Sequence, residues 1–182
     1  MIDRRAEVIL LCEDKAHQSF FRRLLKKHFG FQRIREVALP AGEKGGSGEQ
    51  HVRNNYPAEV KVVRKGHVTR FLVTVIDADK EPFEKHYNEL NAELKKAGEN
   101  IRCESDRIAI FIPMQNIETW IVCLSKKVKV YEDKDYKHEV HEGDLSKAVE
   151  LFYSWAVDEK MRPSYCPDSL TRAFPEVEPL RR

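Results

Sequence analysis

The chain has little of what marks a zinc-thiolate, redox or membrane protein. Its four cysteines, Cys12, Cys103, Cys123 and Cys166, are scattered with no Cys-x-x-Cys spacing, so neither a zinc knuckle nor a redox pair is indicated. The seven histidines form no His-x-x-x-His or His-Glu-x-x-His pattern; His138 and His141 sit in a charged stretch and read as surface residues. No apolar run approaches the roughly 20 residues that a bilayer requires. Met1-Ile-Asp-Arg-Arg5 leads straight into a short strand, no secretory segment is visible, and the protein is expected to be cytoplasmic. Glycine clusters in one place only, Ala41-Gly-Glu-Lys-Gly-Gly-Ser-Gly48. That stretch lacks the Gly-Lys-Ser/Thr end of a Walker loop and follows no strong strand, so ATP hydrolysis is not expected. There is no internal repeat.

Charge is plentiful and unevenly placed. At 182 residues the chain is the size of one ordinary domain and long enough to bury a real core. Its net charge of +2 conceals an asymmetry: residues 1–70 carry 15 Lys and Arg against 8 Asp and Glu, and the remainder carries 17 against 22. Cationic side chains hold a phosphate backbone while an acidic rim with bound metal acts on one phosphate, so this division suits a phosphodiester. The plainer reading is a surface kept soluble by mixed charge.

Strands and helices alternate. Glu7-Val-Ile-Leu-Leu-Cys12 and Arg70-Phe-Leu-Val-Thr-Val-Ile76 are short continuous apolar runs, the pattern of parallel strands buried on both faces. Asp14 can cap a helix from Lys15 to His28 that buries Phe20, Phe21, Leu24 and Leu25 and turns Arg22, Arg23, Lys26 and Lys27 outward, with Gly30 ending it. A weaker strand is expected over Gln32–Leu39, then a polar segment helical in pieces around Pro57. An amphipathic helix follows over Pro82–Ala97, then a strand over Arg107–Pro113 and a helix opened by Gln115 or Asn116. Beyond Lys126 the pattern weakens. Residues 127–142 read as irregular or a short hairpin, Leu145–Val157 as a helix and Ser169–Phe174 as a shorter one. The fold class expected is α/β, a mostly parallel sheet with helices on both faces, over 1–126, with a small helical C-terminal extension over 127–182 packed on it.

Three acidic residues stand where the two strong strands run out: Glu13 after the first, Asp77 and Asp79 after the second. Ligands of open α/β sheets bind beyond the carboxyl ends of strands. Carboxylates gathered there repel one another unless a cation joins them, and Mg2+, which takes oxygen ligands and keeps waters, is the natural candidate. Lys80 is placed to meet a phosphate beside them. Asp14 reads as a cap rather than a ligand. Cys12, Cys123, Tyr87, Phe111 and Trp120 read as core.

The strand ending in Cys-Glu-Asp and followed directly by a helix, with a later strand ending in Ile-Asp-Ala-Asp-Lys80, resembles the Toprim domain of topoisomerases, primases and the overcoming-lysogenization-defect nucleases. The resemblance covers roughly residues 5–125. It is closer to small stand-alone Toprim-like proteins associated with phage defence, whose further Glu-x-Trp motif would be Glu118 in Asn116-Ile-Glu-Thr-Trp120. The resemblance implies a metal-dependent endonuclease of DNA or RNA. In it Asp77 and Asp79 bind Mg2+ or Mn2+, Glu13 is a ligand or general acid/base, and Glu118 is a supporting ligand; the partners it implies are nucleic acid and a separate ATPase subunit. The residue-level alternative for Glu118 is a Glu favoured by the helix dipole. Lys44 on the glycine-rich stretch, with Arg22, Arg23, Lys26 and Lys27, would hold nucleic acid. Two other readings stay open. A receiver-like signalling domain would use Asp77 as phospho-acceptor but would need a Lys at the end of a late strand, which Pro113-Met-Gln does not offer. A non-catalytic Toprim-like module would bind a partner ATPase or nucleic acid through the same rim.

Overall fold

A computed structural model describes residues 6–40 and 47–181. Four parallel strands, β1 (Glu7–Cys12), β2 (Arg33–Glu36), β3 (Arg70–Val75) and β4 (Ile108–Phe111), form one sheet in the order β2-β1-β3-β4. β1 is central and pairs with both β2 and β3, Glu7 lying opposite Arg33 on one side and Arg70 on the other. The first connection leaves β1 toward β2 and the next carries the chain to the opposite side at β3. The crevice between the carboxyl ends of β1 and β3 is therefore the point where strand order reverses, the place where such sheets take ligands.

Each face of the sheet is covered by helices. Val8, Leu10 and Cys12 of β1 and Val73 and Val75 of β3 point into one core, with α1 (Lys15–Lys27), α4 (Ile117–Lys126) and α5 (Asp144–Val157) against them. Ile9, Leu11 and Leu72 point into the other, under α2 (Gly48–Lys65) and α3 (Phe83–Lys96). The period-two alternation of β-side chains feeds both cores from the same strand. Residues beyond Lys126 join the first core: Phe152 stacks on Trp120, and Phe174, just past α6 (Asp168–Ala173), packs on Phe152. The C-terminal segment also closes the β4 edge, where the Glu176 carboxylate accepts the Ile110 backbone N–H at 2.8 Å, a device that blocks pairing with a further strand.

Several element boundaries differ from those expected. β2 spans only Arg33–Glu36, because as an edge strand its exposure alternates. The segment around Pro57 is one continuous helix of 18 residues, begun by Ser47, whose side chain accepts from the Gln50 N–H. The interior proline removes a backbone bond, but Val52, Tyr56, Val60 and Val63 are buried along one side of it, and that packing outweighs the propensity. Residues 127–142 contain no strand; their one regular turn is a 3-10 segment at Lys137–Glu139. Cys12 and Cys123 are buried as expected, and Cys123 and Cys166, distant in sequence, shift each other's ionisation, Cys123 upward and Cys166 downward. No helix among the described residues is long and apolar enough to cross a membrane.

Candidate metal centre

Glu13 directly follows β1 and Asp77 lies two residues past the end of β3, and the parallel register that places Cys12 opposite Val75 brings them to the same rim. Asp77 is buried and Glu13 half-buried. Burial first, then the Asp77 carboxylate, pushes the Glu13 carboxyl up to about 8, with Asp79 adding to the effect and His17 opposing it. One Glu13 oxygen, Oε1, is buried without a hydrogen-bond partner. A carboxylate that repels its neighbour and has an orphaned oxygen is the arrangement a hard cation relieves.

His17 completes the cluster. Its ring, fully buried, lies with Nε2 2.9 Å from Asp77 Oδ1 and Nδ1 3.4 Å from Asp14 Oδ1. Asp14 also caps α1, accepting the His17 backbone N–H at 2.9 Å. One atom each from Asp14, His17 and Asp77 lie within 4.8 Å of one another. Burial works against a charged imidazole at position 17, but Asp77, at hydrogen-bond distance, outweighs it and raises the His17 pKa. Burial likewise raises Asp77, with His17 pulling against it. His17 escaped the sequence reading although its signal was present. It occupies the apolar stripe 17, 20, 21, 24, 25 of α1, all buried, where a polar residue needs a partner.

Asp79 and Lys80 lie in the turn after β3, both exposed and both left-handed, with φ of 47° and 68°. Two successive non-glycine residues there are uncommon and mark a held backbone. The turn is pinned by the Ala78 N–H to Pro113 O at 2.8 Å and the Lys80 N–H to Met114 O at 2.9 Å. Glu118, on the first turn of α4, is half-buried. Burial raises its pKa, and the charged groups it meets are Asp14, Lys137 and His17, so it borders the cluster from the α1 side rather than from the Asp79 side. Asn116 opens α4, accepting the Thr119 N–H at 3.2 Å.

The start of α2 also meets this rim. A Cβ on Gly48 would stand 2.8 Å from Glu13 Cβ and 2.9 Å from Glu13 O, so the last glycine of the glycine-rich stretch allows the helix end to press against Glu13. Lys44 lies outside the described residues. The four cations expected on α1 share one face. With Ser19 and Leu145, Arg22, Arg23, Lys26 and Lys27 line a groove of about 560 Å³. Arg22 pairs with Glu36 at 3.1 Å and Lys27 with Glu150, while Arg23 donates to Ser146. Lys26 has no ion pair among the described residues.

Comparison with protein-family models, curated proteins and solved structures found no match.

Proposed function

We propose that the protein is a Toprim-like, Mg2+- or Mn2+-dependent nuclease that cleaves phosphodiester bonds of DNA or RNA. The observation that carries this reading is the meeting of Glu13 and Asp77 at the strand-order reversal, with a Glu13 oxygen buried and unpartnered. Glu13, Asp77 and Asp79 supply the oxygen ligands that Mg2+ prefers, and Glu118 borders them. A bound cation would polarise the scissile phosphate and stabilise the departing oxygen. The chain's own groups do the rest. His17 fixes the Asp77 carboxylate. Where Glu13 is not itself a ligand, its raised carboxyl is suited to hold and release a proton near neutral pH. Lys80, exposed beside Asp79, is placed to pair with a phosphate oxygen, and the α1 groove offers cations along which a strand could lie.

The test is a panel of supercoiled plasmid, single strands and total tRNA with Mg2+, Mn2+ or chelator, comparing wild type with Asp77→Ala. Cation-dependent cleavage that falls at least ~100-fold in the variant is the expected result, since loss of a ligand that positions charge at the reacting phosphate typically costs that much. Cation binding without cleavage of any substrate would favour the non-catalytic module. A stable phosphate on Asp77 after acetyl phosphate treatment would favour the receiver.

A further inference from the structure

A second cluster lies beside the first and shares its loop. His86, on α3, is 2 % exposed. Its Nε2 is 3.0 Å from the backbone carbonyl of Ala78, the residue between Asp77 and Asp79. A carbonyl only accepts, so Nε2 carries the hydrogen, and in the neutral ring Nδ1 is left with a lone pair. That lone pair meets two carboxylates: Glu49 Oε1, from the first turn of α2, at 3.4 Å and Glu89 Oε2, one turn along α3, at 3.5 Å. His86 Nδ1 and Glu89 Oε2 are both buried with no hydrogen-bond partner. The three atoms lie within 4.8 Å of one another.

The buried ring nitrogen and two carboxylates that are 25 % and 29 % exposed turn three acceptors toward one point, and a cation there would answer all three. Arg53 supplies one from the side, touching Glu49 Oε1 and lying 3.1 Å from Glu89 Oε2, but its guanidinium leaves the histidine nitrogen unanswered. A ring nitrogen aimed at two carboxylates while the opposite N–H donates to a backbone carbonyl is the orientation metal-binding histidines adopt. One imidazole with two carboxylates suits Zn2+ or Mn2+ better than Mg2+, which favours oxygen and water, and it leaves a coordination position open.

We propose that Glu49, His86 and Glu89 form a second divalent-cation site, of the Zn2+ class, which Arg53 occupies in the metal-free protein. The site ties the beginning of α2 to α3 and, through His86, to the Ala78 carbonyl, so its occupancy holds the Asp77–Lys80 turn. It does not depend on the nuclease reading.

The experiment is a calorimetric Zn2+ titration of the full chain carrying Asp77→Asn, which removes the first cluster's central carboxylate, followed by Co2+ absorption to detect a nitrogen-containing site. One Zn2+ per chain is expected. Adding Glu49→Gln and Glu89→Gln should weaken binding by more than about 100-fold, since even outer-shell changes cost roughly 10–100-fold. Arg53→Gln, which leaves all three ligands in place, should tighten it about tenfold, the equivalent of ~1.4 kcal/mol. No Zn2+ bound to the Asp77→Asn protein, or binding unchanged by the two Gln substitutions, would overturn the site. Should the double Gln variant fail to fold, the Arg53→Gln arm decides alone, unchanged affinity counting against the proposal.

Discussion

Glu13 is the residue whose chemistry is most altered by the fold. Its carboxyl, at 4.5 in an unstructured chain, reaches about 8 because burial and Asp77 disfavour the charge. Between those values the folded protein keeps a proton that the unfolded chain has lost, so stability falls as pH rises from about 5 to about 8. Asp77, also raised, acts in the same direction. His17, raised above 6.5, adds stability below that value and loses it as pH climbs through its folded pKa, so it too favours the acid side. Metal-free protein unfolded with urea should thus be less stable at pH 8 than at pH 5. Glu13→Gln should recover roughly 2–4 kcal/mol at pH 8, each pK unit being worth ~1.4 kcal/mol before allowance for partial exposure. Mg2+ should do the same for wild type and little for the variant. Parallel pH profiles for the two proteins would show that Glu13 is ionised and solvated. At this scale the sequence was readable where position follows strand ends, as for Glu13 and Asp77, which share one rim. It was opaque at His17 and His86, whose long-range partners come from the loop after β3 and from α2, and whose positions on apolar stripes of α1 and α3 gave little local sign.

Among the elements, those the sequence revealed are the ones whose environment is uniform. β1 and β3 are buried on both faces along nearly their whole length, which writes a continuous apolar run. β2, on the edge, has no such signature, and α2 was obscured by Pro57 because burial of Tyr56 and Val60 is not a local property. The beginning of α2 permits a sharper test. In an ordinary helix Gly→Ala stabilises by about 1 kcal/mol. At Gly48 the added Cβ would lie inside contact distance of Glu13 Cβ and O, so Gly48→Ala should instead destabilise by roughly 1–3 kcal/mol, the usual cost of overpacking. Because the atom displaced belongs to Glu13, Mg2+ affinity should fall with it. Thermal and calorimetric measurements on the one variant read both effects, and a gain in stability would mean that the helix end does not press on the rim.

For the whole molecule the question is how a polyanion would reach an acidic rim. The asymmetry in Lys and Arg is legible from the sequence, but how much of it remains available depends on tertiary pairing. From Lys15 at the rim to Lys26, α1 runs ~17 Å at 1.5 Å per residue, the length of about five phosphates along one strand. Of its four cations, Arg22, Arg23 and Lys27 already meet Glu36, Ser146 and Glu150, so they must exchange a protein partner for a phosphate, whereas Lys26 need not. Each phosphate neutralised contributes roughly −0.7 to −0.9 to the slope of log affinity against log salt. Replacing Arg22, Arg23, Lys26 and Lys27 by Gln should therefore flatten the slope by roughly 1–2 units rather than the full ~3–4 that four free cations would give. Binding should weaken alike for every sequence, because backbone contacts carry no base information. The exposed pairs lost are worth about 0–1 kcal/mol each, so the variant should fold and keep its affinity for Mg2+. Fluorescence anisotropy on duplex and single-stranded probes across a salt series measures the slope, and a quadruple variant with unchanged slope would assign this face to solvation and direct the search for the polyanion's path to Lys80 and the start of α2.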